Sequence, residues 1–371
     1  MEKYVLKLDA KDQSGPRPGE VVHIGLDQGL NKWVYAVRWG GEQRSTFAGP
    51  SELSHLQTLV KRFSGNEVRI AHEACGFGYQ ISRWAQEYTE QVVRVTVVPP
   101  STIEQEPGRR VKTDRIDARK LARKLELGEL KGVWVPSVEQ EQARQISRTQ
   151  QQMAKERRRV QIQVRSLLQA HGYKAPQSTK SWGAYARWLD QLELPETLRQ
   201  CVGHQLALRK HAAHSEQELL RTLHKMSQAE PYAKVVKAWT KNAVGIGWLS
   251  AIRIALELGD VERFPKRGSL PHYLGLTPSE YSTGDNVQRG PVLRCGPARV
   301  RSWLVESAWV AVRRDPQLRE LFSRIAGPVA SATQRKVAIV AVAHRLAIKL
   351  RVLWKQVQTP APEAVKSAAA A

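Results

Sequence analysis

The stretch Val21–Trp39, VVHIGLDQGLNKWVYAVRW, decides the architecture of the first third of the chain. Two runs rich in apolar, β-branched and aromatic residues flank a polar, glycine-containing segment at Gln28–Asn31. That is the pattern of two strands joined by a tight turn. Asp27 closes the first run. A carboxylate normally stays in water. Placed at the end of an apolar strand it is unfavourable unless something positive meets it there. VRIAHEAC, residues 68–75, repeats the arrangement with Glu73 at its end.

Working outward, QRSTFAG (43–49) fits a third strand. SELSHLQTLVKRFSG (51–65) has helical spacing, with Ser51 as the expected N-cap and Gly65 as the stop. YQISRWAQEY (79–88) fits a helix, and VVRVTVVPP (92–100) a strand that Pro99 and Pro100 end. Thr113 caps a helix starting at Asp114. Strands come first and then alternate with helices, so residues 19–132 are expected to form an α/β layer. Residues 1–18 are polar and fit a loose arm.

The composition changes over 137–230, where Arg, Gln, Glu and Lys dominate. Ile146, Met153, Val160 and Leu167 recur every seven residues, as in a coiled-coil seam. Lys174–Pro195 interrupts the pattern, and Leu206, Leu219, Leu223 and Met226 mark a second helical stretch. A protruding helical hairpin fits, as does an ordinary helical subdomain. Residues 231–356 return to globular composition, with helices expected at 231–242, 248–258, 297–314 and across 334–355. The tail at 357–371 is rich in Ala and Pro and is expected to be disordered. The fold class is thus α/β plus α.

Fifty-eight Lys and Arg against 35 Asp and Glu give a net charge of +23 and a pI near 10.2. Such an excess predicts a polyanionic partner. No apolar run has spanning length, no signal-peptide pattern opens the chain, and basic charge recurs in every region. Nucleic acid is therefore expected and a membrane is not. The three scattered cysteines, Cys75, Cys201 and Cys295, argue against a disulfide framework and for cytoplasmic residence.

Asp114 and Asp117, in KTDRIDARKLARKL (112–125), share a helix face. Both lie in the first helical turn, where the dipole favours negative charge, so they could be simple helix-end charges. Arg109, Arg110, Lys112, Arg115, Arg119, Lys120, Arg123 and Lys124 surround them. These could neutralise the acids or hold phosphates. With Asp27 and Glu73 the pair makes four hard oxygen donors, suited to divalent cations. Two such ions serve phosphodiester transfer by activating one oxygen and stabilising another. Asp27, on the strand expected to be central and most rigid, is best placed to bridge them.

Towards the C-terminus, Gly245 and Gly247 in AVGIGWLSA (243–251) could let the backbone approach a phosphate, or make a plain helix–helix turn. The string PHYLGLTPSEYSTGDNVQRGPVLRCGPARVRSWLVESAW (271–309) carries hydroxyls in a Gly- and Pro-rich loop flanked by Arg289, Arg294, Arg299 and Arg301. A hydroxyl there could attack a phosphodiester while guanidinium groups stabilise the transition state. A loop serine is more commonly a turn residue, so composition leaves its role open.

VHIGLD, AHEACG and KTDRIDA resemble the DEDD motif of the insertion-sequence-110 transposase family, in its 1111-like subgroup. These are recombinases with a RuvC-like RNase H fold, related to Piv-type DNA invertases. The C-terminal string resembles the family's serine-containing transposase domain. The resemblance implies that Asp27, Glu73, Asp114 and Asp117 ligate two Mg²⁺ ions, for which Mn²⁺ can substitute. It implies a serine nucleophile, Ser282, with Thr283 as the alternative. It also implies phosphate contacts by Arg289, Arg294 and Arg301. Two positions depart from the pattern: Thr283 precedes Gly284 where many relatives carry Ser, and Pro297 stands where Asn is usual. The implied partners are donor and target DNA, a noncoding guide RNA of the bridge type, and further copies of the chain. The helical hairpin would dimerise subunits, and sites shared between subunits suggest a tetramer. No RNA-recognition signature is visible in the residues themselves. Two other functions fit the acids or the charge: a RuvC-like structure-specific DNA nuclease, and a non-catalytic nucleic-acid-binding protein.

Overall fold

In the computed structural model, which describes residues 15–100, 113–283, 286, 288–293 and 295–358, the Val21–Trp39 stretch forms the expected hairpin. β1 (Val22–Gln28) pairs antiparallel with β2 (Trp33–Trp39), with Leu26 opposite Tyr35 and Asp27 opposite Val34. The turn closes through the Gly29 N–H, which donates to the Lys32 carbonyl at 3.1 Å. β3 (Glu42–Gly49) extends the antiparallel side. β4 (Val68–Glu73) and β5 (Val93–Val98) continue the sheet in parallel, in the order β3-β2-β1-β4-β5. β1 is therefore central.

Alternation of side chains sorts the two faces of this sheet. Val22, Ile24 and Leu26 point to one side and pack with Leu56, Leu59 and Val60 of α1 (Leu53–Lys61) and Ile81 of α2 (Gln80–Glu87). The other side meets α3 (Asp114–Glu126), whose Ala118 and Ala122 cover Val34 and Ala36, and whose Leu121 and Leu125 cover Ala71 and Val98. Thr113 caps α3 as expected, its Oγ1 accepting from the Ile116 N–H at 3.4 Å. Ser51 does not cap α1. Glu52 holds that position without a side-chain bond, and the Ser51 hydroxyl donates to the Leu30 carbonyl at 2.9 Å. β3 runs through Gly49, so the chain reaches Ser51 beside the β1–β2 turn, and the turn takes the hydroxyl.

Two compact units divide between Val135 and Pro136. In the second, α4 (Val138–Ala170) and α6 (Glu196–Gln228) are 33 residues each and pack along one another, with α5 (Trp182–Leu189) between them in sequence. The sevenfold seam expected over Ile146–Leu167 is only partly realised. Val160, Val164 and Leu168 are buried against Tyr185, Leu189, Leu198 and Val202, at a spacing of four, while Ser147 and Gln150 occupy the buried face lower down. A straight helix has 3.6 residues per turn, so a sevenfold stripe drifts off the contact line. Ala143 and Ile146 of α4 and Leu223 and Met226 of α6 join the same core as the C-terminal helices. The hairpin is thus rooted in that core and not separate from it.

The C-terminal helices are α7 (Ala233–Asn242), α8 (Trp248–Leu258), α9 (Ser269–Tyr273), α10 (Ala298–Arg314), α11 (Pro316–Ala326) and α12 (Ala332–Gln358). α11 was not anticipated, although Asp315-Pro316 is a recognisable start. The Asp315 carboxylate accepts from the Gln317 and Leu318 N–H groups, and proline occupies the first turn. α12 continues through Gln358, past the boundary expected at 357; residues 359–371 lie outside the described residues. A two-stranded ribbon, β6 (Pro278–Glu280) with β7 (Arg289–Val292), leads into α10. Among the described residues no helix is long and apolar enough to cross a membrane.

Candidate active site

The close fit of α3 on β1 organises the four acids. A Cβ added at Gly25 would lie 2.0 Å from the Ala118 carbonyl oxygen and 2.5 Å from the Ala122 nitrogen. Helix backbone therefore rests directly on strand backbone, which only glycine permits here. The direction of α3 follows from its polar ties. Near the C-terminal end of α3, Glu126 pairs with Arg38 at 2.8 Å and accepts from the Gly41 N–H at 2.9 Å. Arg38 lies opposite His23, at the start of β1. One residue beyond Ala118, Arg119 donates to Thr46 Oγ1 at 2.8 Å; Thr46 lies opposite Ala36, which lies opposite Gly25. The helix thus runs antiparallel to β1, with its N-terminus over the Asp27 end.

Three elements converge on that end. Asp27 is two residues beyond Gly25 and so faces the α3 side of the sheet. Glu73 is two residues beyond Ala71, which packs against Leu121 and Leu125, so it faces the same side. The parallel register Leu26↔His72 makes Asp27 and Glu73 neighbours across adjacent strands. On α3 the buried face is Ala118, Leu121, Ala122 and Leu125. Stepping back four residues from Ala118 and Leu121 gives Asp114 and Asp117, so both extend this face past the sheet edge. Asp114 is exposed, and Asp27, Glu73 and Asp117 are half-buried.

The donor set is all carboxylate oxygen, which fits a hard divalent cation. The side chains themselves are not gathered. Among the described residues no three His, Cys, Asp or Glu side chains stand close enough to hold an ion. Asp27, Glu73 and Asp117 are each engaged in hydrogen-bonding or electrostatic interactions. Like charges repel, and drawing four carboxylates together requires a cation among them. Behind Glu73, on the opposite face, His72 is 1% exposed; burial holds its imidazole below the ordinary range, and its Nδ1 lies 3.0 Å from the Glu73 carbonyl. Of the basic surround, Arg115 is exposed at the start of α3, and Arg109, Arg110 and Lys112 lie outside the described residues.

The other candidate residues belong to the second unit. Ser282 and Thr283 follow β6. Ser282 Oγ donates to Glu280 Oε1 at 2.9 Å, and Thr283 exchanges backbone hydrogen bonds of 3.2 Å with Asn286. Sequence patterning missed Glu280. Its position two residues before Ser282 was a usable signal, since strand alternation puts such a pair on one face. Arg289 lies opposite Glu280 in the ribbon register, and Arg294 is outside the described residues. The Arg301 guanidinium donates to the Leu274 and Cys295 carbonyls at 2.9 Å each, tying α10 to the end of the ribbon. Arg299 stands 3.9 Å from Glu257, a buried carboxylate that Arg148 grips at 2.8 Å. Gly245, at φ +90°, meets protein: an added Cβ would lie 2.3 Å from the Ser307 carbonyl oxygen of α10. Gly247 precedes α8 with open space around it.

Two family models match the chain. One, described as the transposase IS116/IS110/IS902 family, covers residues 241–323. The other, a transposase model of DEDD type named for IS110, covers residues 24–172 and so takes in all four acids. Towards both ends, the chain is thus similar to insertion-sequence transposases of the IS116/IS110/IS902 type. A Sinorhizobium fredii protein named as transposase y4qE is 33% identical over 74% of this chain and 65% of its own length, so the chain spans just under two thirds of that relative. A Pseudomonas aeruginosa protein named as a family 20 transposase is 24% identical over 89% of this chain and 95% of its own. The transposase for insertion sequence element IS1111A of Coxiella burnetii is 22% identical over 66% of each. The DEDD type of the matched transposase domain implies dependence on a divalent metal.

Proposed function

We propose that this transposase moves an insertion sequence by cutting and rejoining DNA, with Asp27, Glu73, Asp114 and Asp117 as the metal-holding acids of an RNase H-like domain and Ser282 as the nucleophile. One observation carries it: two adjacent strand ends and one helix N-terminus present carboxylates to a single end and face of a five-stranded sheet. Salt bridging alone gives no reason for acids from three separate elements to share that position.

When bound, a pair of divalent ions, taken here as Mg²⁺, activates an attacking oxygen and stabilises a leaving one. Asp27 and Glu73 would hold such ions from the two most central parallel-paired strands, and Asp114 and Asp117 from the first turn of α3. Arg109, Arg110, Lys112 and Arg115 would hold DNA phosphates beside the acids. Ser282 would attack phosphorus as a backbone P–O bond breaks. The protein–DNA linkage then retains the phosphodiester bond energy, and rejoining needs no external energy source. Arg289 and Arg294 would hold the phosphates next to Ser282, while Arg301 keeps the ribbon seated on α10.

A noncoding RNA from the element would choose the donor and target DNA. The charge of +23 supports carrying two nucleic acids, although positive charge has no sugar preference. Subunits would associate through the α4–α6 hairpin, giving a dimer or tetramer.

Asp27→Asn is expected to abolish strand cleavage, by about a thousandfold or more, while leaving DNA binding in a gel-shift experiment intact. Cleavage retained in Mg²⁺ by that variant would remove Asp27 from the site and end this account of the chemistry.

A further inference from the structure

The ribbon that carries Ser282 also carries a carboxylate that the chemistry above leaves unused. Ser282 Oγ donates to Glu280 Oε1 at 2.9 Å. Glu280 ends β6, but extended pairing continues beyond it: the Tyr281 N–H donates to the Gln288 carbonyl at 2.9 Å, and Thr283 bridges to Asn286. Residues 280 and 282 therefore stand on one face of the ribbon, and 281 and 283 on the other. Among the described residues, it is Ser282 and not Thr283 whose hydroxyl meets a carboxylate. From β6 itself, the Ser279 Oγ donates across the ribbon to the Pro291 carbonyl of β7 at 3.0 Å, and an added Cβ on Gly290 would lie 2.5 Å from the Ser279 Oγ. The two strands are thus held in register beside the pair.

We propose that Glu280 is the general base for Ser282, a role that rests on Ser282 being the nucleophile as proposed above. A serine hydroxyl is a weak nucleophile until a neighbouring base takes its proton, and a base must lie within about 2.6–3.2 Å of the group it deprotonates. Glu280 meets that condition. In strand cleavage the Oγ proton passes to the Glu280 carboxylate, the Oγ–P bond forms, the P–O bond to the departing strand breaks, and the departing oxygen takes a proton from water. In rejoining, the hydroxyl of the incoming strand attacks phosphorus and gives its proton to solvent. The Oγ–P bond then breaks, and Glu280 returns the held proton to Oγ. The same carboxylate serves both directions, as a reversible transfer between DNA ends requires.

The test uses the full-length chain, Mg²⁺, labelled DNA spanning an end of its insertion sequence, and transcripts of the element's noncoding flanks. Adduct that survives denaturation is measured against pH. Ser282→Ala is expected to give none. Glu280→Gln is expected to slow adduct formation by about 10²–10⁴-fold, to leave DNA binding unchanged, and to remove the acid limb of the pH profile. In a Ser282→Cys background the same Glu280→Gln change is expected to matter little, because a thiol ionises unaided near pH ~8.5. Glu280→Gln adduct at the wild-type rate and pH profile, with Ser282→Ala dead, overturns the role of Glu280 alone and leaves a turn hydrogen bond. Adduct persisting in Ser282→Ala overturns the serine assignment itself and the base with it.

Discussion

Asp27 sits two residues beyond a glycine buried under helix backbone, whereas Ser282 sits two residues beyond the end of a three-residue strand in an exposed ribbon. The acids at the sheet end inherit their position from a core that packs on both faces. Moving any of them means moving β1, β4 or α3, and each is bound into that core. The serine inherits its position from a handful of backbone hydrogen bonds and from Arg301, which fastens the ribbon's end to α10. The contrast suits the roles proposed for each group. Ligands that share ions need fixed mutual geometry, whereas a nucleophile that joins DNA covalently needs access more than burial.

Three substitutions probe this difference, in decreasing order of expected effect. Gly25→Ala should act through the whole first unit. Its methyl would collide with the Ala118 carbonyl, so α3 must lift from the sheet and carry Asp114 and Asp117 with it. A loss of about 3 kcal/mol is expected, at the upper end for overpacking, visible in denaturant unfolding together with lost cleavage. Unchanged stability would mean that α3 does not rest on Gly25. Thr113→Ala removes the cap from the turn that holds the acids and should cost about 1 kcal/mol. Cleavage should fall further than so small a loss of stability implies, because the frayed residues are the proposed ligands. If stability and cleavage both stay at wild-type values, the cap does not set the acids. Ser282→Ala should change stability by less than about 0.5 kcal/mol, as surface substitutions do, while eliminating the adduct. A large drop in unfolding midpoint would show that the ribbon is part of the core after all.

Much of the α/β layer was legible because its signals are local. Apolar alternation marked β1 and β4, Pro99 and Pro100 ended β5, and Thr113 opened α3. The elements bearing the four acids could be found the same way. Other features were hidden by distance along the chain. Ser51 carries a good cap signature, but the β1–β2 turn, about 20 residues earlier, takes its hydroxyl. Gly245 has the look of a phosphate-approach glycine, yet the backbone pressed against it belongs to α10. The sevenfold seam in α4 is genuine spacing, but α6 and α8 choose which side chains are buried, and polar Ser147 and Gln150 lie on that face.

Neighbouring residues dictate where a strand or helix begins and what charge stands at its end, because capping, alternation and turn chemistry act over a few residues. They cannot dictate which end of α3 lies over Asp27. That is settled by the glycine–alanine contact at Gly25 and by the Arg38–Glu126 pair, whose partners are 88 residues apart. Nor can composition put Ser282 and Thr283 on different faces; the pairing of two ribbon strands does so, with the Ser282 hydroxyl on the side of Glu280. Face, direction and register are properties of packed backbones, and packing exists only once distant parts of the chain have met.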